Sequence, residues 1–580
     1  MPRHRKALVL SVLTVVALSA TVLTLLLAFS CTTAKEAAEL EPPPPSPQAM
    51  SQPLSPPPPP ATVPAPEMAK LRALGYTSPG DGALGGVAAP MPDDLERPGA
   101  QAEMNTEEYG RIADNPFLET LRNPLSTFSI DVDRASYSNV RRFLHENQRP
   151  PRDAVRIEEM VNYFSYDYPD PPAGQPFSLT TEIASCPWNE KNRLLLIGLQ
   201  GRRIDTADLP PGNLVFLLDV SGSMQDPDKL PLVQRALHML VDQLRPQDRV
   251  AIVAYAGSAG LVLPSTPGSE KGTIAEAIDR LEAGGSTAGG EGIVLAYKVA
   301  KENFVEGGNN RVILATDGDF NVGVSSDGEL ERLIEQKRRD RIFLSVLGFG
   351  TGNIKDSKME LLADKGNGNY AYIDTLNEAR KVFVQELGAT LTTIAKDVKL
   401  QIEFNPAKVR AYRLIGYENR LLRAEDFHDD AKDAGEMGAG HSVTALYELV
   451  PPDGDLAIAQ VDPLKYQTVQ LNNSASASPE LLTLKLRYKE PDEETSRLLT
   501  QPVLDATTLI AAASDNLRFA ASVAELGLLL RESPYKSHAS YDQAAEMASH
   551  ALGGDNEGYR AEFLQLVHAA SRLAPEGRED

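Results

Sequence analysis

Four apolar runs, Leu214 to Leu218, Val250 to Tyr255, Val312 to Ala315 and Ile342 to Phe349, recur through the middle of the chain. Between them the rhythm changes to spacings of three and four, as in Leu230, Val233, Leu237, Leu240, Val241 and Leu244, the period of a helix with one buried face. Strands apolar on both faces, alternating with amphipathic helices, predict a mostly parallel sheet covered on both sides. The expected unit is a doubly wound α/β domain over residues 211–390. Around it the period is two. Phe177 to Ile183 and Arg193 to Leu199 precede the domain, and Val398 to Phe404, Val443 to Leu449 and Leu482 to Tyr488 follow it. These flanking strands are expected to pair across the insertion and form one β-sandwich. Phe128 to Val132 reads as a further strand, and Arg134 to Glu146 and Ala154 to Phe164 read as helices. Asn472 to Ser478 reads as a loop. From Asp505 to Leu573 helical spacing dominates, with Phe519, Val523, Leu526 and Leu530 in one stripe.

The start of the chain has a different character. Arg3, Arg5 and Lys6 precede an uncharged apolar stretch from Ala7 to Phe29, the pattern of an export signal that leaves the remainder outside the cytoplasm. The stretch ends at Cys31, and it resembles a bacterial lipoprotein signal with that cysteine as the lipidation site. Leu27 lies one position earlier than such signals place it, so an uncleaved signal anchor is the other reading. Both make a membrane-anchored protein of the cell envelope. Pro42 to Pro66 is proline-rich and favours extended polyproline II, a spacer on the order of 80 Å at about 3.1 Å per residue. The expected organisation is a signal over 1–31, a disordered linker over 32–104, an N-terminal segment with helices and the first sandwich strands over 105–210, and the α/β domain over 211–390. The remaining sandwich strands follow over 391–495, and a helical segment over 496–580.

The 580 residues exceed a single core, and 42% hydrophobic with 24% charged residues is ordinary for folded protein. A net charge of -23 argues against nucleic acid, whose phosphates reward clustered Lys and Arg. With only two cysteines, Cys31 and Cys186, neither a disulfide scaffold nor a metal-thiolate cluster is available.

The candidate chemistry follows the first buried strand. Asp219, Ser221 and Ser223 form D-x-S-x-S, and in a doubly wound sheet the loops at the carboxyl ends of strands build the ligand site. Gly284-Gly285-Ser286-Thr287 and Thr316-Asp317-Gly318 are the loops expected to meet it. Together they offer hydroxyls and carboxylates, a set suited to Mg²⁺, with Mn²⁺ or Ca²⁺ as substitutes, and unsuited to zinc or copper. Neutral hydroxyl ligands leave the ion's charge unquenched, so it attracts an anion.

These residues resemble the metal-ion-dependent adhesion site of the von Willebrand factor type A family, and residues 211–390 resemble that family throughout. The resemblance implies Ser221, Ser223 and Thr287 as ligands of Mg²⁺, directly or through water. It implies Asp219 and Asp317 as the carboxylates that hold coordinating waters, and a protein partner's Glu or Asp as the group that completes the octahedron. Asn115-Pro116-Phe117-Leu118 and the run from Ser126 to Asp133 are similar to the N-terminal segment of a narrower bacterial subfamily. Tyr417-Glu418-Asn419-Arg420 and the run from Ala434 to His441 are similar to its C-terminal domain.

Other signals read more plainly. Gly348-x-Gly350-x-Gly352 lacks the spacing of a dinucleotide fingerprint and reads as a turn. Asp133 stands where a helix N-cap is wanted, in preference to an ion site with Asp131 and Ser136. The acidic run Glu425, Asp426, Asp429, Asp430, Asp433 and Glu436 reads as a solvated loop. None of the eight histidines falls in the three site loops and no nucleophile motif is present, so a non-enzymatic binding role is expected. A regulatory or assembly subunit of an envelope complex is the alternative, with a metal-assisted hydrolase as a third.

Overall fold

The computed structural model describes residues 106–285, 289–318, 320, 327–386, 392–430, 432, 434–454, 466 and 471–574. The export signal, Cys31, the proline-rich spacer and Thr287 lie outside the described residues. After a two-residue strand at Leu118–Glu119 comes β1 (Leu125–Ser129), followed by helices α1 (Ala135–His145) and α2 (Ile157–Asn162) and strands β2 (Phe177–Cys186) and β3 (Asn189–Gly201).

The inserted domain then runs β4 (Gly212–Asp219), α3 (Leu230–Gln243), β5 (Arg249–Tyr255), β6 (Ala259–Pro267), α4 (Lys271–Asp279), α5 (Gly289–Glu302), β7 (Asn309–Thr316), α6 (Asp327–Arg339), β8 (Phe343–Phe349), α7 (Asp356–Lys365), β9 (Tyr370–Ile373) and α8 (Leu376–Arg380). Its sheet has the order β9-β8-β7-β4-β5-β6 and is parallel except for β6, which turns back along the edge. All eight residues of β4 are buried. Leu214, Phe216 and Leu218 pack toward α3, α4 and α8, while Val215 and Leu217 pack toward α5, α6 and α7. That split explains the unbroken apolar runs: each strand has a helical layer on both faces.

After the domain come β10 (Thr393–Phe404), β11 (Ala411–Ile415), β12 (Ser442–Val450), β13 (Glu480–Lys489), β14 (Arg497–Leu504), α9 (Asp515–Leu530), α10 (Tyr541–Ser549) and α11 (Tyr559–Arg572). Strands from before and after the insertion do pair: β3 with β12, and β1 with β10. They form two antiparallel sheets, one containing β11-β12-β3-β2 and the other β1-β10-β13-β14. Phe128, Ile402 and Leu484 of one sheet and Ile197, Leu414 and Tyr447 of the other share a core. The outer face of the first sheet packs Leu194, Leu196 and Leu446 against α2 and the C-terminal helices, around Phe164, Phe519 and Phe563.

Local chemistry sets the ends of those helices. Ser514 accepts a bond from Leu517 N at the start of α9, and Ser540 accepts one from Gln543 N at the start of α10. Three expectations shift. Residues 497–504, assigned to the helical segment, are a strand on β13. The loop at 472–478 contains a short exposed helix, Asn473–Ala477, capped by Asn472. Asp133 is not a helix cap; Arg134 holds that position, and Asp133 instead accepts from Tyr370 N at 2.8 Å and from Arg420 at 3.2 Å. Among the described residues no helix is long and apolar enough to cross a membrane.

Candidate metal-ion site

β4, β5 and β7 end side by side. Their register sets Asp219 opposite Tyr255 and Leu218 opposite Ala315, so Asp219 and the Thr316-Asp317 loop reach one rim. The chain leaves β4 toward β5 on one side and returns to β7 on the other, which makes this rim a topological switch point. Backbone bonds close it. Gly284 N donates to Val220 O at 2.7 Å and Gly222 N donates to Gly285 O at 3.0 Å, stitching the second loop to the first. Gly285 has φ +84°, a left-handed turn suited to glycine, and Thr287 follows two residues later outside the described residues.

Asp219 is almost fully buried and already bonded. Its Oδ1 accepts from Ser221 N at 2.9 Å, and its Oδ2 accepts from the Tyr255 hydroxyl at 3.1 Å and from Thr316 Oγ1 at 3.4 Å. Burial pushes its carboxyl above the ordinary value; bonds from Ser221 and Tyr255 oppose the rise and the charge of Asp317 adds to it. Ser221 Oγ and Ser223 Oγ lie 3.0 Å apart, the first buried and the second exposed at the rim.

Asp317 is 0% exposed. Its Oδ2 accepts from Lys229 Nζ at 3.1 Å, while its Oδ1 is buried without a donor among the described residues. A buried carboxylate oxygen with no partner is costly, and a cation beside it removes that cost. The residues therefore fit a hard divalent ion: a carboxylate oxygen left over, two hydroxyls on the adjacent loop, and oxygen donors throughout. When bound, such an ion supplies an electrophilic centre for an anionic oxygen.

Four of the five residues expected at the site, Asp219, Ser221, Ser223 and Asp317, are thus brought to one rim by the ends of two neighbouring strands, β4 and β7. Tyr255 and Lys229 were missed, and Thr316 was placed in the site loop without a role. Lys229 carried a signal: a cation at the first turn of a helix opposes the helix dipole and needs another reason to be there. The glycine run after β8 is a turn, with Gly350 at φ +73° and Gly352 at φ +92°. The acidic run is only partly solvated, because Asp430 pairs with Arg487 at 3.0 Å and Glu436 accepts from Asn367.

Residues 213–385 match the family model described as von Willebrand factor type A domain, residues 103–196 that described as von Willebrand factor, and residues 389–573 that described as Uncharacterized protein YfbK, C-terminal. The Escherichia coli (strain K12) protein YfbK is 46% identical over 476 residues, 81% of this chain and 82% of its own length. The Synechocystis protein sll0103 is 31% identical over 199 residues, 33% of this chain and 45% of its own. Among solved structures, a von Willebrand factor type A protein from Catenulispora acidiphila is 16% identical, with a TM-score of 0.37 over 67% of this chain and 90% of that one.

Proposed function

Since this chain belongs to the family of von Willebrand factor type A proteins that includes Escherichia coli YfbK, we propose that it is a binding module of the cell envelope. Its inserted domain captures an acidic side chain of a protein partner through Mg²⁺ held at the rim of β4, β5 and β7. The type A domain is in general an interaction and adhesion module rather than a catalyst. Asp219, Ser221, Ser223, Thr287 and Asp317 hold the ion, with Mn²⁺ or Ca²⁺ able to substitute. The observation that carries this reading is the Asp317 carboxylate, buried with one oxygen on Lys229 and the other without a donor among the described residues, at the rim that also carries the hydroxyls of Ser221 and Ser223. Lipidation at Cys31, or retention of the apolar signal as an anchor, tethers the body outside the cytoplasm. The test is capture from envelope extract in Mg²⁺ and in EDTA, with Asp219→Ala and Thr287→Ala alongside. Capture lost in EDTA and in both variants is the expected result. Capture indifferent to all three would remove the ion from the binding event.

A second reading, a regulatory or assembly subunit, is supported by the last helix of the inserted domain. Glu378 of α8 accepts from Tyr163 at 2.7 Å and pairs with Arg141 at 2.8 Å, while Lys381 lies over the rings of Tyr163 and Tyr559. A movement of that helix would be felt directly by α1, α2 and α11.

A further inference from the structure

One carboxylate of the rim, Asp317, already faces a cation of the chain's own. Lys229 Nζ donates to Asp317 Oδ2 at 3.1 Å, and its side chain is 7% exposed. This is a seated lysine. Its stem crosses Gly350, where a Cβ would stand 2.4 Å from Lys229 Cγ and 2.5 Å from Cε. Glycine at that position serves both the left-handed turn and the lysine's path. The lysine also stands at the N-cap of α3, the positive end of the helix, where an ammonium is disfavoured unless a carboxylate holds it.

We infer that Lys229 is a built-in counter-charge that lowers the affinity of this site for its divalent ion and keeps the ion-free domain stable. The inference rests on the ion-site reading above. Asp219 and Asp317 offer two negative charges when ionised, and the ammonium offsets one. An entering ion therefore meets a weaker field and repulsion from a fixed positive charge that cannot leave, because its stem is packed over Gly350. In the ion-free state the same ammonium partners a carboxylate that has no access to water. Ion binding is then weaker than two uncompensated carboxylates would make it.

The experiment is calorimetric titration of Mg²⁺ into the EDTA-stripped full chain, as wild type, Lys229→Met and Lys229→Gln, with thermal unfolding of each in EDTA and in Mg²⁺. Removing one charge of repulsion should tighten the Mg²⁺ Kd by about tenfold or more. The Tm in EDTA should fall in both variants, and the rise on adding Mg²⁺ should exceed that of wild type. A wild type that binds Mg²⁺ with variants that bind no tighter overturns the counter-charge role and leaves the ion site standing. If neither wild type nor variants bind Mg²⁺, the ion-site reading falls and this inference with it. If both variants fail to fold even in Mg²⁺, Lys229 is a structural residue and the inference is wrong.

Discussion

The rim of the inserted domain and the seam that joins it to the rest of the molecule both bury more carboxylates than cations, and they resolve the excess differently. At the seam, Arg420 faces Asp131, Asp133, Glu360 and Asp364 at 2.6–3.2 Å, and Arg156 faces Glu159, Asp356 and Glu360 at 2.7–3.4 Å. Arg141 pairs with Asp374, Glu378 and Glu562. Burial there pushes the Asp364 carboxyl up to about 7 and the Glu159 carboxyl up to about 8, with neighbouring carboxylates adding to both. Among the described residues no group of three or more His, Cys, Asp or Glu is arranged to hold a metal ion. The seam's carboxylates surround guanidiniums. At the rim the cation is a single lysine, hydroxyls replace further carboxylates, and one oxygen of Asp317 is left over. A planar five-donor guanidinium binds several carboxylates into a rigid joint, whereas a point-charge ammonium occupies one oxygen and leaves the rest for an ion.

Arg420→Ala should break this contrast most severely. It leaves Asp133 buried without its guanidinium and Glu360 with Arg156 alone; a buried pair that loses one member costs about 3–5 kcal/mol. Urea denaturation should show that loss, while Mg²⁺ affinity of the folded fraction stays that of wild type. Thr287→Ala should do the opposite: Mg²⁺ affinity falls by about 10- to 100-fold or more, the range for disturbing the groups around a metal, with little change in the Tm measured in EDTA.

A smaller effect concerns pH. The Glu159 carboxyl is raised from 4.5 to about 8, so the folded chain holds a proton that the unfolded chain releases. Its contribution is fully present below about pH 4.5 and is lost as pH rises toward 8. Glu159→Gln, which keeps the neutral form at all pH, should flatten the decline in stability across that window; an unchanged slope would assign the decline elsewhere. The smallest change expected is in hydrogen exchange over residues 376–385. With Glu378 and Lys381 held by α1, α2 and α11, protection there should shift little on adding Mg²⁺, and a large shift would favour the regulatory reading.

What was legible in the sequence follows the range of the interactions. Periodicity reports which faces are buried, so the apolar strands and amphipathic helices of the inserted domain could be placed, and the chemistry at their carboxyl ends with them. Pairing across the insertion was legible because apolar and polar residues alternate in the sequence of β10, β12 and β13, although helices cover the outer face of β12 so that nearly all of it is buried. β14 was not: it is an edge strand, mostly exposed and interrupted by Pro502, and carries almost no period. Asp133 was misread because a local rule, helix capping, was applied to a residue whose partners lie 237 and 287 positions away. Lys229 was missed for the same reason, since its carboxylate is 88 residues distant.

The most direct test of the account is a calorimetric titration of Mg²⁺ into the EDTA-stripped full chain beside Asp219→Ala and Thr287→Ala. One saturable site is expected in the wild type, with affinity lowered by about 10- to 100-fold or more in both variants. A wild type that takes up no Mg²⁺, or variants that bind it as wild type does, would contradict the claim that the rim of β4, β5 and β7 is an ion site.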